Sequence, residues 1–490
     1  MSRRIVGPFN RVEGDLEVQL SIEDGMVTDA WVVSSLYRGF EQILQGKDPM
    51  DALVYVPRIC GICSVSQSVA AANALANIQG LKSPPNGEIA TNLILANENI
   101  TDHLTHFYLF FMPDFARNVY QNESWFPAAE VRFKAIKGTA CKEMLPVRAE
   151  FLHLMGLLAG KWPHSLAIQP GGTTRSIEIQ EKSRILAILF SFRQFLQQIL
   201  FGDQLENIIA LDSADALTNW LERPESSRSD FGHFLHIADA LNLETLGRAG
   251  DHFMSYGVYP EQGNPLFARG TWNGTYAELD HSLIREDISH SWMKFQNEPK
   301  HPFDGVTIPS ANAPDGYTWC KAPRLNGQVM EVGALARQVV NGHPLIRDLV
   351  SQNGSNVRDR VIARLLEIAL VVPVMEDWAK ELTPKDPFCL HAKIPDEVEG
   401  FGMMEAARGS LGHWLKVKNG RILNYQIIAP TTWNFSPRDA DGVPGALEQA
   451  LINTPLLGDR NGDRNKDEKM PVEVQHIVRS FDPCMVCTVH

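Results

Sequence analysis

The chain has 490 residues, room for about three domains at roughly 150 residues each. With 44% hydrophobic and 21% charged residues it is neither a disordered chain nor a fibrous repeat. Its net charge of −13, from 45 basic and 58 acidic side chains, has the wrong sign for a nucleic-acid partner.

The N-terminus carries Arg3 and Arg4 but no apolar segment behind them, so no secretory signal is visible. Leu16–Ser34 alternates apolar and polar residues on both sides of Asp24-Gly25, which predicts a hairpin. Pro49–Leu81 and Glu88–Met112 follow a helical period. Ile177–Phe201 is apolar over most of its surface, which predicts a helix deep in the core. Val357–Leu382 repeats the pattern, with Pro373 as an expected kink. His413–Ile428 predicts a second hairpin turning at Asn419-Gly420.

The longest apolar stretches, such as Ile185–Phe192, fall far short of the ~18–20 residues of a membrane span. There is no internal repeat and no Ser/Gly/Pro-rich linker. The expected fold class is α+β: one unit over residues 1–490, mainly helical, with a buried long-helix core and small peripheral hairpins near both ends.

Two familiar patterns fail. Gly156 to Lys161 is one residue short of a phosphate loop, and Trp162 stands where Ser or Thr should follow. Asp459-Arg-Asn461-Gly-Asp463 begins like a calcium loop, but Arg464 and Met470 occupy positions six and twelve. The run from Asp459 to Lys469 reads as a solvated loop.

Cysteine is more informative. Of seven, Cys141, Cys320 and Cys389 are isolated and read as small buried hydrophobes. The other four form two Cys-x-x-Cys pairs, Cys60/Cys63 and Cys484/Cys487, a ligand set for zinc or an iron centre. Zinc is the simplest occupant of such pairs, yet zinc ribbons bring theirs within ~15–20 residues. Here more than four hundred residues separate Cys63 from Cys484, so the fold must assemble the site. Soft thiolates also suit nickel and iron.

The contexts are Arg58-Ile-Cys60-Gly-Ile-Cys63 and Asp482-Pro-Cys484-Met-Val-Cys487-Thr-Val-His490. Further motifs lie at Arg11-Val-Glu13-Gly14, Arg38-Gly-Phe-Glu41, His103-Leu-Thr-His106, Pro163-His164 and Pro170-Gly-Gly172. Others are Lys321-Ala-Pro-Arg324, Glu331-Val-Gly333 to Arg337, Glu405-Ala-Ala-Arg408, His413-Trp414 and Pro430-Thr-Thr-Trp433. Together these resemble the large subunit of nickel–iron hydrogenases over nearly the whole chain.

The resemblance implies nickel held by Cys60, Cys63, Cys484 and Cys487. Cys63 and Cys487 would bridge to an iron carrying one carbon monoxide and two cyanides, with Arg408, Pro430 and Thr431 around them. Cleaving hydrogen heterolytically needs an electron-rich metal beside a base for the proton. Glu13 is the proton-path candidate, provided burial raises its pKa. Arg408 would polarise hydrogen or act as the base, and would pair with a carboxylate such as Asp102 or Asp482. Glu41, His490 and the backbone carbonyl near Ile428 resemble the ligands of magnesium. His103, His106, His164 and His413 are possible proton carriers, read first as structural.

This chain departs from the family pattern near the metals. Asp15 and Gln67 stand where the family has His, Ala407 where it has Pro, and His476 and Arg479 appear in reverse order. Most relatives carry a C-terminal tail that a protease removes after the final His; here the tail is either removed or not encoded.

The three spare cysteines lie too far apart for an electron relay, which implies a separate small subunit with iron–sulfur clusters. Gln67, with Ile62 and Phe110 as bulky neighbours, resembles the hydrogen-sensing regulatory branch. That implies a cytoplasmic location, a histidine kinase partner and a dimer of heterodimers; energy-conserving uptake is the runner-up. A reading of another class is the quinone-binding subunit of respiratory complex I, which shares the fold without the metals. The four cysteines argue against it.

Overall fold

A computed structural model describes residues 2–261, 263–456 and 470–490. The acidic and basic run from Asp459 to Lys469 lies outside the described residues.

Both predicted hairpins form. Leu16–Glu23 pairs antiparallel with Met26–Ser34, and Ser2–Val6 adds a third strand. Gly409–Lys418 pairs with Arg421–Ile428, and Val398–Ala406 joins on the other side. In this second sheet nearly every residue of the central strand is buried. It lies against the Ser64–Gln79 helix, whose Val69 to Ala72 and Ala74 are small enough for close approach. A Cβ added to Gly402 would stand 2.1 Å from the Ala70 carbonyl oxygen, so only glycine fits that strand position. A third sheet, built on Phe253–Glu261 and Asn264–Trp272, was not predicted. Its signal was the Gly263-Asn264 pair between two apolar runs.

The Pro85–Thr105 helix crosses the core. Asn92, Asn97, Glu98, Asn99, Asp102 and His103 are all buried along it, so each needs an internal partner. Asn97 donates to the Phe151 carbonyl at 2.9 Å and Asn99 to the Tyr259 hydroxyl at 2.8 Å. The Val357–Glu381 helix packs against it and is buried on most sides; it runs through Pro373 without ending.

Ile177–Phe201 differs from expectation. The α-helix spans Ile179–Phe195, continues as a π-helical turn over Leu196–Leu200, and buries one face, through Ile185, Ile188, Leu189, Phe192 and Phe195. Phe190 is 61% exposed. That i, i+3, i+4, i+7 spacing marks an amphipathic helix at the edge of the core. Cys141 and Cys320 are buried as expected, whereas Cys389 is only partly so. Among the described residues no helix is long and apolar enough to cross a membrane.

Candidate metal centre

The two ends of the chain meet in the core. Glu13 forms a parallel bridge with Cys484: its N–H donates to the Pro483 carbonyl at 3.4 Å, and its carbonyl accepts from Met485 N–H at 2.7 Å. Gly14 permits this approach; its φ is +82°, and a Cβ there would lie 3.1 Å from Met485 Cβ. Cys63 immediately precedes the Ser64–Gln79 helix, and Cys484 precedes the short Met485–Thr488 helix. Both pairs are therefore presented by helix starts.

The four sulfurs converge. Cys60 and Cys484 Sγ are 3.5 Å apart, Cys63 and Cys487 3.1 Å, and Cys484 and Cys487 3.0 Å. One ligand atom from each of the four buried cysteines lies within 4.8 Å of the others. Four sulfurs at ~2.3 Å around one ion would be spaced about 3.8 Å, so the set fits a thiolate-bound metal. Thiol hydrogen bonds from Cys484, Cys487 and Cys63 hold Cys60 well below the usual thiol range, while its neighbour Cys63 is pushed up. Full ionisation of this buried set needs a cation.

Around the sulfurs the side chains carry opposed charge. Arg408 occupies the two-residue turn between Ala406 and Gly409. Its Nη1 is 2.9 Å from Asp102 Oδ2, and its Nε donates to the Asp482 carbonyl at 2.9 Å. Burial opposes its charge, yet the Asp102 and Asp482 carboxylates keep it protonated. Burial raises Asp102 against the pull of Arg408, whereas Asp482 is held down by Arg408 despite burial. Burial also raises Glu13, helped by Cys60 and opposed by Arg408 and Arg38. Thr431 Oγ1 accepts from Cys484 N–H at 3.2 Å, and Pro430 is buried at the start of that helix turn.

Gln67, one of the departures from the family pattern, faces a histidine. Its side-chain oxygen lies 2.9 Å from His413 Nε2, and His413 Nδ1 lies 2.8 Å from the Tyr425 hydroxyl. Burial pushes His413 down to about 3, so the ring is neutral, donating from Nε2 and accepting at Nδ1. His103 faces Glu367 at 3.1 Å and His106 faces the Arg479 carbonyl at 2.7 Å. His164 lies 2.9 Å from the Pro57 carbonyl through Nδ1. Each histidine has a structural partner.

Glu41 and His490 also meet. His490 Nε2 is 3.3 Å from Glu41 Oε1, and its Nδ1 is 2.9 Å from the Cys487 carbonyl. Ile427 N–H donates to the same Glu41 oxygen at 2.9 Å, which places buried Ile428 one residue away. Lys321, which sequence reasoning left without a role, lies 3.3 Å from Glu41 and 3.0 Å from Glu286. Also missed were Glu98, which accepts from Val65 and Ser66 N–H at 2.8 Å each, and Arg337. Arg337 bonds Glu367, Glu405 and the carbonyls of Ala406 and Ala407, the residues leading into Arg408. A run of buried-helix polar residues was the available signal for Glu98; Arg337 had none beyond its motif.

The sequence family described as nickel-dependent hydrogenase matches residues 38–123 and 115–490. The chain belongs to this family. It is 30% identical to the periplasmic [NiFeSe] hydrogenase large subunit of Desulfomicrobium baculatum, over 99% of this chain and 94% of that one. It is 28% identical to the hydrogenase-2 large chain of Escherichia coli (strain K12), over 100% and 97%. Its structure resembles the reduced Ni-Fe-Se hydrogenase of D. vulgaris Hildenborough with a TM-score of 0.83 and 29% identity, covering both chains fully. The hydrogenase fold is thus shown, and the cysteine cluster suits the family's nickel. Whereas two of these relatives are named for selenium, all four converging ligands here are cysteine.

Proposed function

We propose that Cys60, Cys63, Cys484 and Cys487 hold nickel, with Cys63 and Cys487 shared with an iron bearing one carbon monoxide and two cyanides. When bound, this pair supplies the electron-rich metal for heterolytic cleavage of hydrogen. The observation that carries the reading is the Glu13–Cys484 backbone bridge, which brings Glu13, its carboxyl raised by burial and by the Cys60 sulfur, to the converging cysteines. Glu13 takes the proton and hands it toward solvent, being itself half-buried. Arg408 stays charged between Asp102 and Asp482, which supports a polarising role over that of base. His103 steadies the ion network behind it through Glu367.

Glu41, His490 and the Ile428 carbonyl hold a magnesium-like ion. Two ligands of one such ion are about 3 Å apart, and Glu41 and His490 stand at 3.3 Å. Electrons leave through a small iron–sulfur subunit, because the remaining cysteines, Cys141, Cys320 and Cys389, are not gathered into a metal cluster. We read the 490 residues as one folding unit on a shared core.

The physiological role we propose is hydrogen sensing in the cytoplasm, with a histidine kinase partner and a dimer of heterodimers. Its support is the Gln67–His413 pair, with Gln67 on the helix that Cys63 precedes; the pair carries no charge that changes near neutral pH. Uptake is the second reading, favoured by relatives named as uptake hydrogenase large subunits, 27% identical in Afipia carboxidovorans. Deleting the gene and following two readouts separates them. Sensing predicts loss of hydrogen-induced transcription while another hydrogenase sustains uptake. Loss of uptake with transcription intact supports the second reading.

A further inference from the structure

The segment bearing Glu13 reaches the sulfurs from one end of the chain, and the Val472–Ser480 helix leads to Cys484 from the other. One fully buried carboxylate, Asp114, stands between them in the tight turn Met112–Ala116. Asp114 Oδ1 accepts from Arg11 Nη2, and Oδ2 accepts from Arg479 Nη1 at 2.5 Å. Arg479 Nη2 continues to Asn10, donating to its carbonyl at 3.0 Å and its side-chain oxygen at 2.8 Å. His476 Nδ1 and Arg117 Nη1 each lie 3.7 Å from the carboxylate. Burial opposes the charge on Asp114, but Arg479 and its neighbours hold it well below the usual carboxylate range.

Arg11 is a non-glycine residue with a φ of +55°, a conformation that persists when surroundings hold it. Its guanidinium does so, reaching Asp114 and also the Phe110 carbonyl at 3.3 Å. Residues 10 and 11 are therefore fastened sideways to residue 479. Two residues further along the first arm is Glu13, and a few beyond Arg479 is the Pro483–Met485 stretch that it meets.

We propose that Asp114 is a positioning residue: by clamping Arg11 to Arg479 it fixes where the Glu13 carboxyl stands beside Cys484. The proposal rests on Glu13 as the proton carrier. Among the described residues, Arg11, Asp114 and Arg479 make no hydrogen bond to a sulfur, so their influence passes through Glu13 and the backbone of the two arms. A displacement of about 1 Å at a reacting group can cost up to ~10²-fold in rate.

The test uses the assembled hydrogenase, with hydrogen–deuterium exchange and nickel per chain measured in parallel. Arg11→Met should retain nickel and lower exchange by roughly 10-fold, and Arg11→Lys, which still reaches Asp114, should restore most of it. Combined with Glu13→Gln, Arg11→Met should lower exchange no further, because coupled residues are not additive. Asp114→Asn should act in the same direction; if it fails to fold, the Arg11 series decides. Parent-level exchange in Arg11→Met, multiplying effects in the double variant, or loss of nickel in Arg11→Met would each overturn the proposal. Parent-level exchange in Glu13→Gln would remove the Glu13 reading and this proposal with it; a normal loss there with multiplying effects removes this proposal alone.

Discussion

Glu13 and Cys484, from opposite ends of the chain, lie side by side as neighbours in a parallel backbone bridge. The backbones of a residue near the start of the fold and of a cysteine near its end are thereby held in register by main-chain hydrogen bonds. Their relative position does not depend on side-chain rotamers alone.

Glu13→Gln keeps the shape of the side chain but cannot accept a proton near neutral pH. Nickel content should be unchanged while hydrogen–deuterium exchange falls by roughly 10²-fold or more. Exchange at the parent rate would move the proton path to another residue.

Glu98 offers a pH prediction. It is fully buried, and burial pushes it from 4.5 up to about 7 despite hydrogen bonds from Val65, Ser66 and Trp162. A folded pKa above the unfolded one gives stability that is present below about pH 4.5 and lost as pH rises through about 7. Glu98→Gln should flatten this dependence, removing up to about 3 kcal/mol of it between those limits. Thermal midpoints of both proteins across that range, at equal nickel content, give the answer; parallel curves would exclude Glu98 as the titrating group.

Arg337 ties the Glu367 helix to the Glu405–Ala407 segment with no exposed surface of its own. Arg337→Met leaves Glu367 and Glu405 buried without their cationic partner, at a cost of about 3–5 kcal/mol. The Ala406 and Ala407 carbonyls lose their donor, so Arg408 should be displaced as well. A lowered thermal midpoint together with a changed infrared spectrum of the proposed iron ligands is expected. An unchanged spectrum would confine Arg337 to stability.

For Glu41→Ala, both the ion proposed at His490 and the Lys321 pairing are lost. Retention of nickel on heating should fall, because cation binding and local folding are linked. Unchanged metal content and thermal midpoint would refute the role of Glu41.

Local signals were the legible ones. Asp24-Gly25 and Asn419-Gly420 specify their turns within a few residues, and both hairpins formed. The cysteine pairs were legible because nothing else in a chain of this kind explains their spacing. The buried charges were not: Asp114, Arg337 and Arg479 look like surface residues in sequence, and only tertiary contact supplies their partners. The helix Ile179–Phe195 was misread for the opposite reason. Its apolar run conceals a one-sided pattern, and Phe190 shows that an apolar residue need not be inside.

The central claim is that the four converging sulfurs hold the nickel at which hydrogen is split, and nickel per chain tests it most directly. Cys484 is buried among three other sulfurs, whereas Cys141 is buried outside that cluster. Measured by elemental analysis, Cys141→Ser should retain nickel at the parent level, while Cys484→Ser should carry essentially none and show no hydrogen–deuterium exchange. Full nickel occupancy in Cys484→Ser would contradict the account.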